Sequence, residues 1–458
     1  MNALITISLL ALLILYLGLF KAKRALLPVS LLGLALAFIL SISEWNRFAE
    51  PIFSNMMHFD NFAVAFSGIT IFTTFLILLL SSDYFEKISA NVAEYYALIL
   101  FSLAGIVLMV SFHNLSMLFI GIEIMSVCMY ILAGIRKKDF SSNEAALKYF
   151  LMGAFSTGFL LFGIALLYGA SGSFDIQGIR DYITATQKPS PLLYTGIILM
   201  LIGMCFKVGA APFHFWTPDV YEGSPSLITA YMSTVVKTAG FAAFLRIMLS
   251  CFIVKQEFIV PILVVIAALS LLIGNIIAIY QQHFKRMLAY SSISHAGYML
   301  FGLITLDASS DNALFVYAAA YSVASIIAFA VLILLQRETG NDSFDSFNGL
   351  GRKNPLLAFC LTVSMLSLAG IPLTAGFVGK FMMFSRSLAS YHTILVVFAV
   401  VNAVIAIFYY FRVIVAMYFK PEERVALAVP AYYKVVLAFS AIVTIILGIY
   451  PDLVASLI

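Results

Sequence analysis

The sequence predicts an all-α protein that crosses a membrane many times, and three observations support this fold class. Hydrophobic residues make up 63% of the 458 residues and charged residues only 10%, with a mean hydropathy of +1.04. A soluble domain carries about 25% charged residues, so a solvated surface of the usual kind cannot be built. Apolar segments long enough to cross a bilayer recur from one end of the chain to the other.

The apolar segments predict fourteen membrane-spanning helices, because a helix needs about 20 apolar residues to cross the hydrocarbon core. No Gly/Ser-rich linker, charge block or low-complexity tract divides the chain, so residues 1–458 are predicted to form a single integral membrane domain. The predicted helices cover, in chain order, 3–20, 26–43, 61–81, 95–112, 114–135, 145–169, 191–214, 226–250, 258–280, 287–305, 312–336, 355–384, 391–419 and 431–454.

The basic residues in the loops indicate how these helices are oriented. If the N-terminus faces outward, the loops carry fourteen basic residues on the inner side and five on the outer side. Cytoplasmic loops are the ones that carry an excess of lysine and arginine. Both termini are therefore predicted to lie on the outer side of the membrane.

Two of the predicted helices are interrupted by proline and small residues. The segments GMCFKVGAAPFHFWTP (203–218) and SLAGIPLTAGFVGK (367–380) share this pattern, one in each half of the chain. Proline removes an intrahelical hydrogen bond, and irregular backbone at membrane depth is tolerated where it lines a cavity. Paired interrupted helices in the two halves are typical of a transporter site.

Five ionisable residues lie within otherwise apolar stretches: Glu123, Lys148, Lys207, Lys237 and Lys380. Ionisable groups at membrane depth are costly, and they mark ion or proton paths. Lysine suits a proton path, because burial disfavours its charged form and lets the group gain and lose a proton. The pattern therefore predicts a membrane subunit that handles protons.

Glu123 and Lys207 are the predicted central pair, since both lie near the middle of helices that run in the same direction. Lys237 lies at a similar depth, so the three groups are expected to form a relay through water. The alternative for Glu123 is a protonated carboxyl that serves helix packing. The alternative for each lysine is a side chain that extends toward the membrane surface.

Lys148, Lys380 and His295 are the remaining candidate site residues, and each also has a purely structural interpretation. Lys148 lies near the inner basic cluster, so an interfacial anchor and a relay position both remain open. Lys380 follows Pro372 on the outer side of the second interruption, where it is either an exit site or an outward-extending side chain. His295, in SSISHAGY, is either a proton carrier or a helix-packing residue.

The sequence lacks the usual signatures of an energy source or a redox group. It contains no Walker-type phosphate loop, no G-x-G-x-x-G motif after a strand and no clustered metal ligands, and its four cysteines are widely separated. No cofactor, metal or nucleic-acid partner is therefore expected for this chain. A proton path without an energy source of its own implies coupling to partner chains or to another ion.

The chain resembles the antiporter-like membrane subunits of proton-pumping NADH:quinone oxidoreductase (respiratory complex I), and among them the NuoN type. The resemblance extends over essentially the whole sequence. The segments that carry it are YYALILFSLAGIVLMVSFHNLSMLFIGIEIMSVCMYILAG (95–134), FKVGAAPFHFWTPDVYEGSP (206–225), SLAGIPLTAGFVGKFMMF (367–384), SSISHAGY (291–298) and FYYFRVIVAMYF (408–419).

This resemblance implies a fold of fourteen helices with two inverted five-helix repeats, here 95–254 and 258–419, in which the seventh and twelfth helices are broken. It also implies roles for the buried charges. The matching positions are Glu123 and Lys207 for the family's glutamate–lysine pair, Lys237 for its central lysine, Lys380 for its outlet residue and Lys148 for a lysine of the sixth helix.

The resemblance further implies that quinone reduction elsewhere in the complex drives protonation changes in this chain. NADH, FMN, iron–sulfur clusters and quinone would then belong to partner subunits. The expected partners are sister antiporter-like subunits, other membrane and peripheral subunits of complex I, and the lipid bilayer. The expected location is the bacterial inner (plasma) membrane.

Two other functions compete with a redox-driven proton pump. A subunit of an Mrp-type sodium/proton antiporter would have the same fold and many of the same motifs, without redox partners. The third hypothesis is a structural membrane scaffold. If the chain is a scaffold, replacing the buried lysines should leave both assembly of the complex and proton pumping by the complex intact.

Overall fold

The computed structural model describes residues 1–47, 50–86, 88, 91–186, 190–307, 310–390, 392–421 and 426–455. Lys87, Lys188 and Arg424, three of the loop residues on which the predicted orientation depends, lie outside the described residues. The α-helices are α1 (Asn2–Leu19), α2 (Lys23–Ile42), α3 (Asn61–Leu79), α4 (Val92–Val110), α5 (Leu115–Ala133), α6 (Phe140–Ser171), α7 (Ile176–Ala185), α8 (Pro191–Val208), α9 (Trp216–Gly223), α10 (Ser226–Tyr231), α11 (Lys237–Ile247), α12 (Gln256–Tyr280), α13 (Phe284–Thr305), α14 (Ser310–Thr339), α15 (Leu350–Lys353), α16 (Pro355–Ala369), α17 (Ala375–Ala389), α18 (Thr393–Phe419), α19 (Ala431–Ile449) and α20 (Asp452–Ala455).

The all-helical fold class is confirmed, because β pairing in the described part of the chain is limited to isolated bridges. Short non-α turns complete the helical content. Met232–Val236 and Met248–Phe252 are π-helical, and Ile253–Lys255 and Phe344–Phe347 are 3₁₀-helical.

Twelve helical stretches of the described chain are long and apolar enough to cross a membrane. The predicted spans 226–250 and 258–280 fall in one continuous helical stretch, Ser226–Tyr280, which counts once among the twelve. The predicted span 355–384 is divided into α16 and α17. The number of fourteen spans therefore stays a prediction.

The chain forms two compact units by its internal contacts. The first unit comprises Met1–Gly209 and Val235–Ile262. Within it, α4 packs against α1, α3 and α5, and α6 packs against α5 and α8. Most of α4 is buried, whereas α1 and α2 expose long apolar faces that include Leu9, Leu19 and Leu32. An apolar face that remains exposed on a membrane helix is suited to contact lipid or another membrane chain.

The second unit comprises Ala210–Thr234 and Leu263–Leu457. Its centre is α14, which packs against α13, α16, α17 and α19. The helix α13 is almost fully buried even though it is the least apolar of the candidate spans. Its buried polar side chains are Lys285, Ser291, Ser292, Ser294 and His295. Polar groups at membrane depth face the interior of a helix bundle, and α13 follows this rule.

One ion pair joins α3 to α11 within the first unit. Asp60 is the N-cap of α3, and its side chain accepts a hydrogen bond from the Ala63 N–H at 2.9 Å. Arg246, in the last turn of α11, donates to the same carboxylate and lies 4.8 Å from the Phe62 ring centroid. Both charges have the sign that the adjacent helix dipole favours.

Burial by itself would raise the pKa of the Asp60 carboxyl, but the charge of Arg246 and its hydrogen bond outweigh burial and hold that pKa below its usual value. A carboxyl whose pKa is lower in the folded state stabilises the fold above its unfolded pKa, and this contribution is lost as the pH falls through the folded pKa.

We expect Asp60→Asn to destabilise the protein by about 2–3 kcal/mol near neutral pH, because the buried Arg246 then loses its countercharge. The measurement is the thermal unfolding midpoint in detergent, with Glu257→Gln as a control at an exposed carboxylate. The difference in midpoint between Asp60→Asn and the unmodified protein should become smaller as the pH falls below about 4, where Asp60 protonates in the unfolded chain. Equal midpoints for the two variants at neutral pH would contradict this account.

Candidate functional site

Lys207 lies at the end of α8, just before the chain leaves helical geometry. Gly209 follows with φ of 69°, a left-handed conformation that a glycine adopts without strain, and helix resumes only at Trp216. The Lys207 side chain is 9% exposed, and its Nζ donates a hydrogen bond to Ser126 Oγ at 2.7 Å. The predicted interruption thus coincides with a buried ammonium group.

Glu123 lies on α5 one helical turn before Ser126, on the side of the helix that approaches Lys207. Its Oε1 atom is buried without a hydrogen-bond donor among the described residues. The carboxyl interacts electrostatically with Lys207, although the described contacts include no direct ion pair between them. Ser126, which accepts from Lys207 one helical turn after Glu123, donates its own hydroxyl to the Ile122 carbonyl at 2.5 Å.

Aromatic packing positions α5 against α6 beside this cluster. The Tyr130 ring lies 4.8 Å from the Tyr149 ring in edge-to-face geometry, and Lys207 Nζ lies 6.0 Å from the Tyr130 centroid. A Cβ added at Gly153 would lie 2.2 Å from Tyr130 Oη, so this close approach requires a glycine on α6. The fit keeps the Tyr130 ring beside the Lys207 ammonium.

Lys237 and Lys148 differ strongly in their surroundings. Lys237 begins α11 directly after the π-helical segment Met232–Val236, and its side chain is only 3% exposed. Irregular π turns within helices are frequent at functional sites. Lys148 instead pairs with Glu144 at 2.8 Å one turn away on α6, and its side chain is 37% exposed in the isolated chain. Lys148 is thus at the surface of the first unit.

Lys380 is buried at the second interruption, where α16 ends at Ala369 and α17 begins at Ala375. Its Nζ donates to the carbonyl oxygens of Leu368 at 3.0 Å and Ala369 at 2.9 Å, and it lies 4.6 Å from the Tyr298 ring centroid. The last carbonyls of a helix have no intrahelical donor, and the helix dipole places negative charge there. Lys380 therefore caps α16 with its charge.

His295 is 4% exposed and has a hydroxyl group on each side of its ring. Its Nδ1 lies 2.8 Å from Tyr317 Oη on α14, and its Nε2 lies 3.1 Å from Tyr410 Oη on α18. Tyr410 is also hydrogen-bonded to Ser291. Because a tyrosine hydroxyl both donates and accepts, either neutral tautomer of the histidine keeps both hydrogen bonds.

His295 and the second interruption share one small cavity in the second unit. The cavity has a volume of about 10 Å³ and is lined by His295, Tyr317, Ala320, Tyr321, Ser367, Leu368 and Gly376. Leu368 supplies one of the two carbonyl oxygens that Lys380 binds. The structure thus brings His295 and Lys380 into one cluster, although they lie 85 positions apart in the sequence.

Sequence reasoning missed the hydroxyl groups that connect these charges. Ser126, Tyr317 and Tyr410 are ordinary helix residues in the sequence, and only Ser126 has a local signal, three positions after Glu123. The run 213–225, just after the first interruption, contains the helix α9. Its Asp219 and Glu222 both pair with Arg286.

No metal site is evident among the described residues, where no group of three or more His, Cys, Asp or Glu side chains could hold an ion. The four cysteines are buried and unpaired with one another. The buried amines, carboxyl, imidazole and hydroxyl groups described above are all groups that can donate or accept protons.

Comparison with known proteins identifies relatives along the full length. The family model described as NADH:quinone oxidoreductase/Mrp antiporter, transmembrane, matches residues 112–406. The chain is 42% identical over 458 residues to the NADH-quinone oxidoreductase subunit N of Flavobacterium psychrophilum, and the match covers 100% of both chains.

Two solved structures with the same fold belong to different kinds of complex. A chain of respiratory complex I from Thermus thermophilus, solved with bound aureothin, superposes with a TM-score of 0.85 at 32% identity, over 99% of this chain and 98% of that one. A chain of the Mrp complex from a Dietzia species superposes with a TM-score of 0.87 at 18% identity, over 100% and 95%. The second similarity is one of fold alone.

The second interruption gives a test of how tightly its helices meet. A Cβ added at Gly376 would lie 1.8 Å from the Ser367 carbonyl oxygen, whereas one added at Gly158 on α6 would meet nothing within 4 Å. We expect Gly376→Ala to lower the thermal unfolding midpoint, with a cost of about 1–3 kcal/mol or more from overpacking. Gly158→Ala should leave the midpoint unchanged or slightly higher. A midpoint for Gly376→Ala equal to that of the control would refute the close approach.

Proposed function

We propose that this chain, which belongs to the family of NADH:quinone oxidoreductase and Mrp antiporter membrane subunits, is the N-type proton-translocating membrane subunit of an NADH:quinone oxidoreductase. The observation that carries the proposal is the burial of three lysines, Lys207, Lys237 and Lys380, inside an otherwise apolar helical protein. Two of them lie at interrupted helices. A membrane protein keeps such costly groups where an ion or proton has to pass.

In the first unit, Lys207 and Glu123 form the proton switch. A charged Lys207 is favoured by the negative carboxylate of Glu123 and held in place by Ser126. When Glu123 takes up a proton or moves away, the buried ammonium loses the countercharge that Glu123 supplies, and release of its proton becomes favourable. Lys237 is the next acceptor in this proposal, and Lys148 supplies protons from the surface of the unit.

In the second unit, His295 and Lys380 carry the proton onward. The two tyrosine hydroxyls on the His295 ring allow the imidazole to receive a proton on one nitrogen and release one from the other. Lys380 holds its proton against two helix-end carbonyls, which stabilise the charged form. A change in the geometry of the interruption would remove these acceptors and release the proton, so Lys380 is the proposed outlet residue.

The energy for this cycle comes from partner subunits in the proposal. NADH, FMN, iron–sulfur clusters and quinone belong to those chains, and none is assigned to this one. Glu123 lies at the edge of a face of α5 that exposes Ile120, Ile124, Val127 and Ile131. A sister antiporter-like subunit on this face would reach Glu123 directly, and this position would let a partner control the switch.

The finer architecture is also part of the proposal. The stretch Ser226–Tyr280 has 55 residues and would be about 80 Å long if straight, whereas the hydrocarbon core is about 30 Å thick. Two spans that meet near the 3₁₀ turn Ile253–Lys255 account for this length, and α16 with α17 forms another span. These assignments lead to fourteen spans in one integral membrane domain.

Two inverted repeats, 95–254 and 258–419, are proposed on a shared local feature. In each range a helix ends at a glycine in the left-handed conformation, Gly209 with φ of 69° and Gly370 with φ of 85°, and a short non-helical segment follows. The proposed location is the bacterial inner membrane, with both termini outside, as the distribution of basic loop residues predicts.

An Mrp-type antiporter subunit is the second candidate, because it shares the fold at a TM-score of 0.87. The 42% identity with an NADH-quinone oxidoreductase subunit over the full length favours the redox complex. Native gel electrophoresis of solubilised membranes, with an in-gel NADH-oxidation stain and mass spectrometry, separates the two. Migration of this chain in a large NADH-oxidising band supports the proposal, and migration in a smaller band without that activity overturns it.

We expect Lys207→Ala and Glu123→Ala to lower NADH-driven proton pumping about tenfold or more, the scale of a lost acid–base group. Ser126→Ala should give an intermediate loss, because the ammonium keeps its countercharge but not its hydrogen bond. Pumping is measured by acidification of inverted membrane vesicles, with assembly checked on the native gel. Lys434→Ala, at an exposed lysine of α19, is the control. Normal pumping in both of the first two variants would exclude the switch.

Two substitutions separate proton transfer by Lys380 from its capping of α16. Lys380→Gln keeps an amide donor for the carbonyls of Leu368 and Ala369 but cannot carry a proton, whereas Lys380→Met removes both properties. We expect both variants to lose pumping to a similar extent, and only Lys380→Met to lower the thermal unfolding midpoint clearly. If Lys380→Gln pumps normally, Lys380 has a structural role only.

A further inference from the structure

A cleft of 920 Å³ lies in the first unit, at the end of α1 where the chain turns into α2. This volume is within the range of about 300–1,000 Å³ that ligand sites occupy. Its floor is set by a close approach of α1 to α4, since a Cβ added at Gly18 would lie 2.5 Å from Ala93 Cβ. The lining residues are Leu12, Leu15, Tyr16, Gly18, Leu19, Lys21, Lys23, Leu26, Asn91, Val92, Ala93 and Glu94.

One wall of the cleft is an apolar stripe on a single face of α1. Leu12, Leu15, Tyr16 and Leu19 follow the spacing of one helix face and extend over about 10 Å. Leu19, at the end of the stripe, is 80% exposed in the isolated chain. The stripe is therefore an open apolar surface rather than part of the core.

The rim of the cleft carries more positive than negative charge. Lys21 and Lys23 are exposed, and no ion pair with either is found in the described part of the chain. Among the described lining residues, Glu94 is the one acidic side chain. The first turn of α4 completes the rim, and its partial positive charge has the same sign as the lysines. An apolar wall beside a basic rim complements a molecule with an apolar chain and an anionic head.

We propose that this cleft binds an anionic phospholipid, with an acyl chain along the α1 stripe and the phosphate group between Lys21 and Lys23. The helix α1, which bears the stripe, and the helix α2, which begins at Lys23, are the least buried of the candidate spans, so lipid has direct access to this side of the site. Basic pockets between membrane helices select anionic headgroups, and the acyl chain adds apolar contact. The proposal does not depend on the proton relay.

The test uses the assembled complex, with Tyr16 replaced by the photoreactive amino acid p-benzoylphenylalanine. The complex is exchanged into nanodiscs that contain equal amounts of phosphatidylglycerol and phosphatidylcholine, irradiated and digested, and the adducts on the Tyr16 peptide are identified by mass. We expect phosphatidylglycerol adducts to exceed phosphatidylcholine adducts by at least about fivefold, the preference that one lysine near an anionic lipid supplies.

Lys21→Gln with Lys23→Gln should bring this ratio close to one, because the apolar wall remains but the selective charges are lost. Lys137→Gln with Lys138→Gln, at two exposed lysines between α5 and α6, should leave the ratio unchanged. Equal amounts of phosphatidylglycerol and phosphatidylcholine adducts in the protein that keeps Lys21 and Lys23 would overturn the proposal. A preference that survives the Lys21 and Lys23 substitutions, or a peptide of another subunit as the main adduct, would also overturn it.

Discussion

The structure depends most on one constraint, that backbone groups inside an apolar layer must find their partners within the protein. The chain interrupts helices at two places and meets the constraint differently at each. Near the first interruption, the Ala211 N–H donates to Ser270 Oγ at 2.8 Å. At the second, Lys380 donates to the carbonyl oxygens of Leu368 and Ala369. Lys380 therefore satisfies the last carbonyls of α16 and is also the residue proposed to release a proton.

The buried lysines differ in how much of their desolvation cost is offset. Lys285, at the start of α13, donates to the backbone carbonyls of Glu222 and Ser224, and Lys380 has two carbonyls and an aromatic face. Lys207 has one neutral hydroxyl and a carboxyl that it does not contact directly. The charge of Lys207 therefore depends more on a distant group than the charges of Lys285 and Lys380 do, a property that suits a switch better than a structural lysine.

Hydroxyl groups are the common element of the two clusters. Ser126 accepts a hydrogen bond from Lys207 one helical turn from Glu123, and tyrosine hydroxyls flank His295 on both ring nitrogens. A hydroxyl donates and accepts without changing its charge, so it links ionisable groups at little electrostatic cost in a medium of low dielectric constant. The use of hydroxyl groups explains how a polar helix such as α13 can be buried while it carries few charges.

The sequence by itself determined the all-helical membrane fold, the positions of the apolar helices, the two interruptions at Pro212 and Pro372, and the presence of Lys207, Lys237 and Lys380 inside apolar helical segments. These features follow from hydropathy, helix period and proline chemistry, which act over a few neighbouring residues. Only the tertiary structure decided that Lys207 binds Ser126 and that Tyr317 and Tyr410 meet at His295. Contacts between distant helices depend on which faces pack together, and this choice is made by the shape of whole helices rather than by any local pattern.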